Sequence, residues 1–180
     1  MALQATVRRL KLQLSDVDRS VYEALDLRLA QHPSENDLFL VTRALAYALS
    51  YEEGIAFGHG LSHAEEPALS IKELDGRLKA WIEVGTPSAE RLHRASKLAP
   101  QVVIYTQHDP ELIRREAAKT PIYRADEIVL YAPAPPLLRA LAERVDRAMS
   151  WDVSRSGGHL YVTTGGETFE GELTQWSLGP

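Results

Sequence analysis

Hydrophobic and polar positions alternate from the start of the chain. Over Ala5–Leu14, Val7, Leu10, Leu12 and Leu14 are interrupted by Arg8, Arg9, Lys11 and Gln13, which predicts a half-buried strand. Ser15–Asp18 reads as a turn, and Leu25, Leu27 and Leu29 carry the alternation through Tyr22–Ala30, so a hairpin opens the fold. The period then changes. After Pro33, with Ser34 as the expected cap, Leu38, Val41, Leu45, Ala48 and Leu49 recur at helical spacing from Glu35 to about Ser50. Such a helix is about 24 Å long at 1.5 Å per residue. Glu35 falls at the edge of its apolar face.

Gly54, Gly58 and Gly60 mark a loose connection with room for one short strand. Two strands follow, Glu66–Leu74 and Arg77–Val84, joined at Asp75-Gly76, a dipeptide suited to a tight hairpin turn. In the second, Leu78, Ala80, Ile82 and Val84 share one face; Arg77, Lys79, Trp81 and Glu83 share the other. Ser88 caps a helix to about Ala99, and the apolar run Gln101–Thr106 reads as a central strand covered on both faces. A helix over Asp109–Lys119, a strand over Glu127–Tyr131 and a break at Ala132–Pro136 come next. The last helix is predicted over Leu137–Met149, started by Pro135 and Pro136. Trp151–Trp176 reads as a strand meander turning at Gly157-Gly158 and Gly165-Gly166. Interleaved helices and strands without a repeat or a linker predict one α/β (α+β) domain over residues 1–180, with a mixed central sheet and flanking helices.

Composition narrows the function classes. At 180 residues, 44% hydrophobic and 25% charged, the chain is long and apolar enough to bury a core unaided. It has no cysteine, which excludes disulfides, thiolate metal sites and a cysteine nucleophile. No apolar run reaches the length of a membrane-spanning helix, and charges in MALQATVRRLKLQL stand where a signal peptide needs an apolar core. A cytoplasmic protein with no membrane partner is expected. The formal charge of −5 opposes a protein built to coat nucleic acid, though not one that touches a few phosphates through a local basic patch.

Most chemical motifs are missing: there is no Walker loop, GxGxxG or GxSxG. His59 and His63 lie four apart, but glycines flank His59 and no glutamate follows it as HExxH requires. His32, ahead of a proline, suits a structural role. The remaining constellation is acidic: Glu65 and Glu66 at the start of one strand and Glu83 near the end of its hairpin partner, beside Arg91, Arg94 and Lys97 on the following helix. Hairpin pairing brings those strand ends together. Carboxylates sharing a point are what Mg²⁺ or Mn²⁺ requires, and an arginine or lysine beside them can stabilise developing phosphate charge. The same residues also read as the polar side of a two-faced strand and a solvated helix face.

The segments MALQAT, LRLAQHPSEND, EEPAL and KAWIEVGTPSAERLHRASKLAPQVVIYT, with HPSEND and WIEVGTP the most specific, resemble the YaeQ family of bacterial proteins over nearly the whole chain. The resemblance implies the PD-(D/E)XK nuclease-like superfamily, with its restriction-endonuclease-like α-β-β-β-α-β core. It implies a divalent-metal-dependent nuclease-like function with Mg²⁺ or Mn²⁺ as cofactor and nucleic acid as partner. Glu35 then matches the assisting acid of the first helix, and Glu83 the (D/E) position of the third core strand. The motif lysine is Gly85 here, so Arg94 or Lys97 is its expected substitute. The other acid belongs near Glu66-Pro67-Ala68, where an EPDL-like pattern puts aspartate at Ala68; Glu66 is then the available metal ligand beside Glu83. These departures leave open an eroded site, and with it a non-catalytic nucleic-acid- or protein-binding role. Descriptions of the family also imply a protein partner in transcription, for which the sequence holds no recognisable polymerase-binding motif.

Overall fold

The computed structural model describes residues 4–60 and 65–180; His63 lies outside them. Contacts divide the chain into two compact units, one formed by residues up to Leu49 together with Pro133–Leu173, the other by Ser50–Ala132 and Thr174–Pro180.

In the first unit the opening alternation becomes β1 (Thr6–Asp16), which pairs antiparallel with β2 (Val21–Gln31) in an unbroken register from Thr6↔Gln31 to Asp16↔Val21. Ser20 turns the hairpin at φ 57°. Leu10, Leu12, Leu14, Leu27 and Leu29 all point into the core. On its other side β1 pairs parallel with β8 (Ala148–Ser156); β8 pairs antiparallel with β9 (His159–Thr164), and β9 with β10 (Glu167–Ser177). Helix α1 (Asp37–Leu49) buries Leu40, Val41, Ala44, Leu45 and Ala48, and packs against α4 (Pro135–Ala142), which buries Leu137, Leu138 and Leu141. At Gly171 a Cβ atom would lie 2.6 Å from Ala134 Cβ, so only glycine lets β10 pass the start of α4. Asp18 holds the β8–β9 turn by accepting from the Gly157 and Gly158 backbone N–H groups at 2.7 and 2.9 Å.

Two predicted helix boundaries are corrected in this unit, while in the other the strands predicted over Glu66–Leu74 and Glu127–Tyr131 span Leu69–Lys72 and Val129–Pro133. Helix α1 begins at Asp37 rather than Glu35, because Asn36, not Ser34, caps it: Asn36 Oδ1 accepts from the Phe39 N–H at 2.8 Å. Helix α4 stops at Ala142 instead of Met149, and β8 begins at Ala148. Buried Met149, Trp151 and Val153 alternate with exposed Ser150 and Asp152, a period of two that a helix cannot satisfy.

The second unit is built on β3 (Ile55–Phe57), β4 (Leu69–Lys72) and β5 (Leu78–Val84), paired antiparallel in that order. After α2 (Ala89–Leu98) come β6 (Gln101–Tyr105), parallel to β5, then α3 (Pro110–Ala117) and β7 (Val129–Pro133), parallel to β6. Ser88 caps α2 and Asp109 caps α3, as the sequence predicts for α2. Trp81, Leu92, Ala95, Val102, Ile104, Ile113 and Leu130 form one core on the α2 face. The alternation expected of β5 has both sides covered: Trp81 and Glu83 are as buried as Ala80 and Ile82. Among the described residues four α-helices and mixed strand pairing make an α+β protein, with α1, β3, β4, β5, α2 and β6 following one another along the chain.

Candidate functional site

Burying a carboxylate is costly unless donors and positive charge surround it, so Glu83 is the most informative acid of the second unit. It sits one residue before the end of β5, on the α2 face. Its Oε1 accepts from the Trp81 indole N–H at 2.5 Å and from Arg91 Nε at 2.6 Å. Alternation puts Trp81 on the same strand face, two residues earlier. Arg91 stands in the first turn of α2, where its own N–H donates to the capping Ser88 Oγ at 3.2 Å. Its guanidinium lies over the Trp81 ring, 5.7 Å from the centroid, and also donates to the Glu66 backbone carbonyl. Burial pushes the Glu83 carboxyl above the ordinary glutamate range; the Trp81 hydrogen bond, the Arg91 charge and hydrogen bond, and the Arg94 charge oppose it.

Glu66 lies in the irregular segment before β4. Its carboxylate accepts from the His59 backbone N–H at 3.2 Å and pairs with His59 Nδ1 at 2.7 Å, while its carbonyl joins Arg91. Glu66 and Glu83 are therefore joined through Arg91, by a carbonyl on one side and a carboxylate on the other. Arg94 pairs with the exposed Glu65 at 2.8 Å, and Lys97 is exposed in the last turn of α2. The β4–β5 register reaches Leu69↔Ile82; continued one step, it sets Ala68 across from Glu83 on the same face. Gly85 adopts φ 95° while its N–H donates to the Tyr105 carbonyl at 2.9 Å, so a lysine there would be strained.

Glu35 belongs to the first unit and sits just before α1 rather than on it. Its carboxylate meets Arg43 Nε at 3.0 Å, accepts from the second Arg43 nitrogen at 3.3 Å and from the His32 N–H at 3.2 Å. Burial raises the Glu35 carboxyl and lowers the Arg43 guanidinium, each opposed by the other's charge. This is a closed, buried pair.

Two further residues complete the Glu83 site: Trp81 as a donor, and Arg91, from the basic run on α2 and in place of the expected Arg94 or Lys97, as the contacting cation. Their signal was present. Trp81 shares the Glu83 strand face, and Arg91 stands four residues before buried Ala95 on α2.

The donor set does not match a divalent cation. Among the described residues no group of three or more His, Asp or Glu side chains is arranged to hold one. Glu83 Oε1 is occupied by two N–H donors, the position that the continued register sets across from it is Ala68, and the Glu66 carboxylate is paired with His59. What the arrangement provides instead is an arginine oriented by a buried acid. No helix among the described residues is long and apolar enough to cross a membrane.

The strand pairing and helices define a class, an α+β protein with a mixed sheet and four helices. The family model described as YaeQ protein matches residues 1–173, and the chain belongs to the YaeQ family. It is 28% identical to the YaeQ protein of Salmonella typhi and 26% to that of Escherichia coli K12, each over 98% of both chains. Two crystal structures share its fold. The YaeQ protein of Pseudomonas syringae is 35% identical, with a TM-score of 0.86 over 95% of each chain. That of Xanthomonas axonopodis pv. citri is 31% identical, with a TM-score of 0.87 over 98% of this chain and 99% of the other.

Proposed function

We propose that this protein descends from the PD-(D/E)XK nuclease-like superfamily with an eroded metal site, and that it binds nucleic acid without cleaving it. The element order α1-β3-β4-β5-α2-β6, with β5 and β6 parallel, supports the restriction-endonuclease-like core. The observation that carries the erosion is Glu83 itself: the acid that would ligate Mg²⁺ or Mn²⁺ is bonded to Trp81 and Arg91. An arginine aimed by a buried carboxylate is a suitable contact for a phosphate oxygen, because the guanidinium fork stays charged and oriented.

The test is Mn²⁺ titration calorimetry on the native protein and Glu83→Gln, run beside a salt series of oligonucleotide binding. The proposal expects no carboxylate-dependent heat at millimolar Mn²⁺, and oligonucleotide binding that weakens with salt and with Arg91→Met. Mn²⁺ binding lost in Glu83→Gln, accompanied by metal-dependent cleavage, would overturn it. That result would promote the second reading, a metal-dependent phosphodiesterase using Glu66 and Glu83, which the closeness of the Glu66 carbonyl to the same arginine favours.

A further inference from the structure

Strand β2 is the outer strand of the first unit's sheet; its one strand partner among the described residues is β1, and its Ala30 carbonyl also accepts from Arg43 at 3.0 Å. Exposed edges are usually blunted by brevity, charged side chains, proline or a bulge. This one is eleven residues long, contains no proline and runs in register with β1 from end to end. Its exposed positions are Tyr22, Glu23, Ala24, Asp26, Arg28 and Ala30, and Tyr22 is 60% exposed.

Asp26 and Arg28 are arranged for a second copy of the same strand. If two copies of β2 meet antiparallel about a two-fold axis at Leu27, Asp26 of each faces Arg28 of the other. The small Ala24 then faces Ala30, and Leu25 faces Leu29 beside the core. Both ion pairs form at once, because the axis repeats every contact. Charge within the unit favours the same pairing. On the inner side Arg28 stands directly across from Arg9 of β1, a like-charge neighbour, while Asp26 faces Lys11 and meets Arg9 at 3.7 Å. A second copy supplies on the open side the carboxylate that Arg28 lacks opposite it on β1.

We propose that β2 is a self-association edge through which two copies of this chain pair antiparallel about Leu27. Sedimentation equilibrium on the full chain tests it. The native protein is expected to dimerise. Asp26→Arg and Arg28→Asp each turn two attractions into two repulsions, so each weakens the dimer by about tenfold or more. The double exchange Asp26→Arg with Arg28→Asp restores it. The register has its own test, because the chain has no cysteine. Facing strand residues have Cα atoms about 4.5–5.5 Å apart, within disulfide reach. Oxidation of Ala24→Cys mixed with Ala30→Cys therefore gives a covalent dimer, and neither variant alone does so comparably. A native protein that stays monomeric at high concentration, or a dimer indifferent to both single reversals, overturns the proposal.

Discussion

Replacing Arg91 with methionine keeps most of the stem that packs over Trp81 and removes the charge that faces Glu83. The carboxylate, whose side chain is 6% exposed, then keeps only the Trp81 indole as an identified donor. Breaking a buried ion pair by removing one member costs about 3–5 kcal/mol. Arg91 is 22% exposed, so some water already reaches its side of the pair, and the lower end, about 3 kcal/mol, is expected. With a urea slope of about 2 kcal/mol per molar, the unfolding midpoint falls by about 1.5 M. The loss must also depend on pH in a defined sense. Burial raises the folded-state pKa of Glu83, so its contribution to stability is fully present below the ordinary glutamate pKa and is lost as pH rises through the raised one. Without Arg91 the folded-state pKa climbs further, and the variant loses more at neutral pH. The gap between native and variant should therefore be wider at neutral than at acidic pH, because protonation of the carboxyl at the lower of the two pH values removes the stranded charge. Urea unfolding followed by tryptophan fluorescence at both pH values measures it, with Glu83→Gln/Arg91→Met as the control that removes the stranded charge. A loss below about 1 kcal/mol, or an equal loss at both pH values, would refute the buried-pair account.

Two other substitutions probe the same chemistry. Ala68→Asp places a carboxylate about 5 Å from Glu83 on the same face, so the variant should melt lower than the native protein without metal and recover with millimolar Mn²⁺. Thermal unfolding with and without Mn²⁺ decides it, since the native protein should not respond. Arg43→Met strands Glu35 between β2 and α1, where both side chains are almost wholly buried, and should cost about 3–5 kcal/mol in urea unfolding. Glu35→Gln/Arg43→Met should regain most of that loss.

Much of this architecture is legible in local pattern. Leu10, Leu12 and Leu14 announce β1, Asp75-Gly76 lies in the turn between β4 and β5 with Gly76 at φ 86°, and Ser88 caps α2 where the sequence places it. The end of α4 is harder, because residues 143–147 hold neither glycine nor proline and the change of period shows only beyond them. The parallel pairing of β1 with β8 joins distant segments, and no local signal encodes it. At the site, Glu83 stands out as an acid near a strand end, but Arg91, Arg94 and Lys97 look equivalent as a basic run. Only the phase of α2, fixed by buried Leu92 and Ala95, separates them: Arg91 borders that face, whereas Arg94 and Lys97 turn further from it. Gly85 reads as a missing lysine in the sequence and as a left-handed turn in the structure.

The first unit is assembled from the two ends of the chain, and this sets an order of events during synthesis. Asp18 reaches across 139 residues to grip Gly157, and β1 finds its parallel neighbour only in β8. At about 5–20 residues per second, the β1–β2 hairpin waits roughly six to 23 seconds on the ribosome before β8 emerges. Closing so long a loop makes folding slow, so a nascent-chain binder that covers this hairpin should raise the folded yield more than one acting on the segment from Ser50 to Ala132, whose strands meet near neighbours.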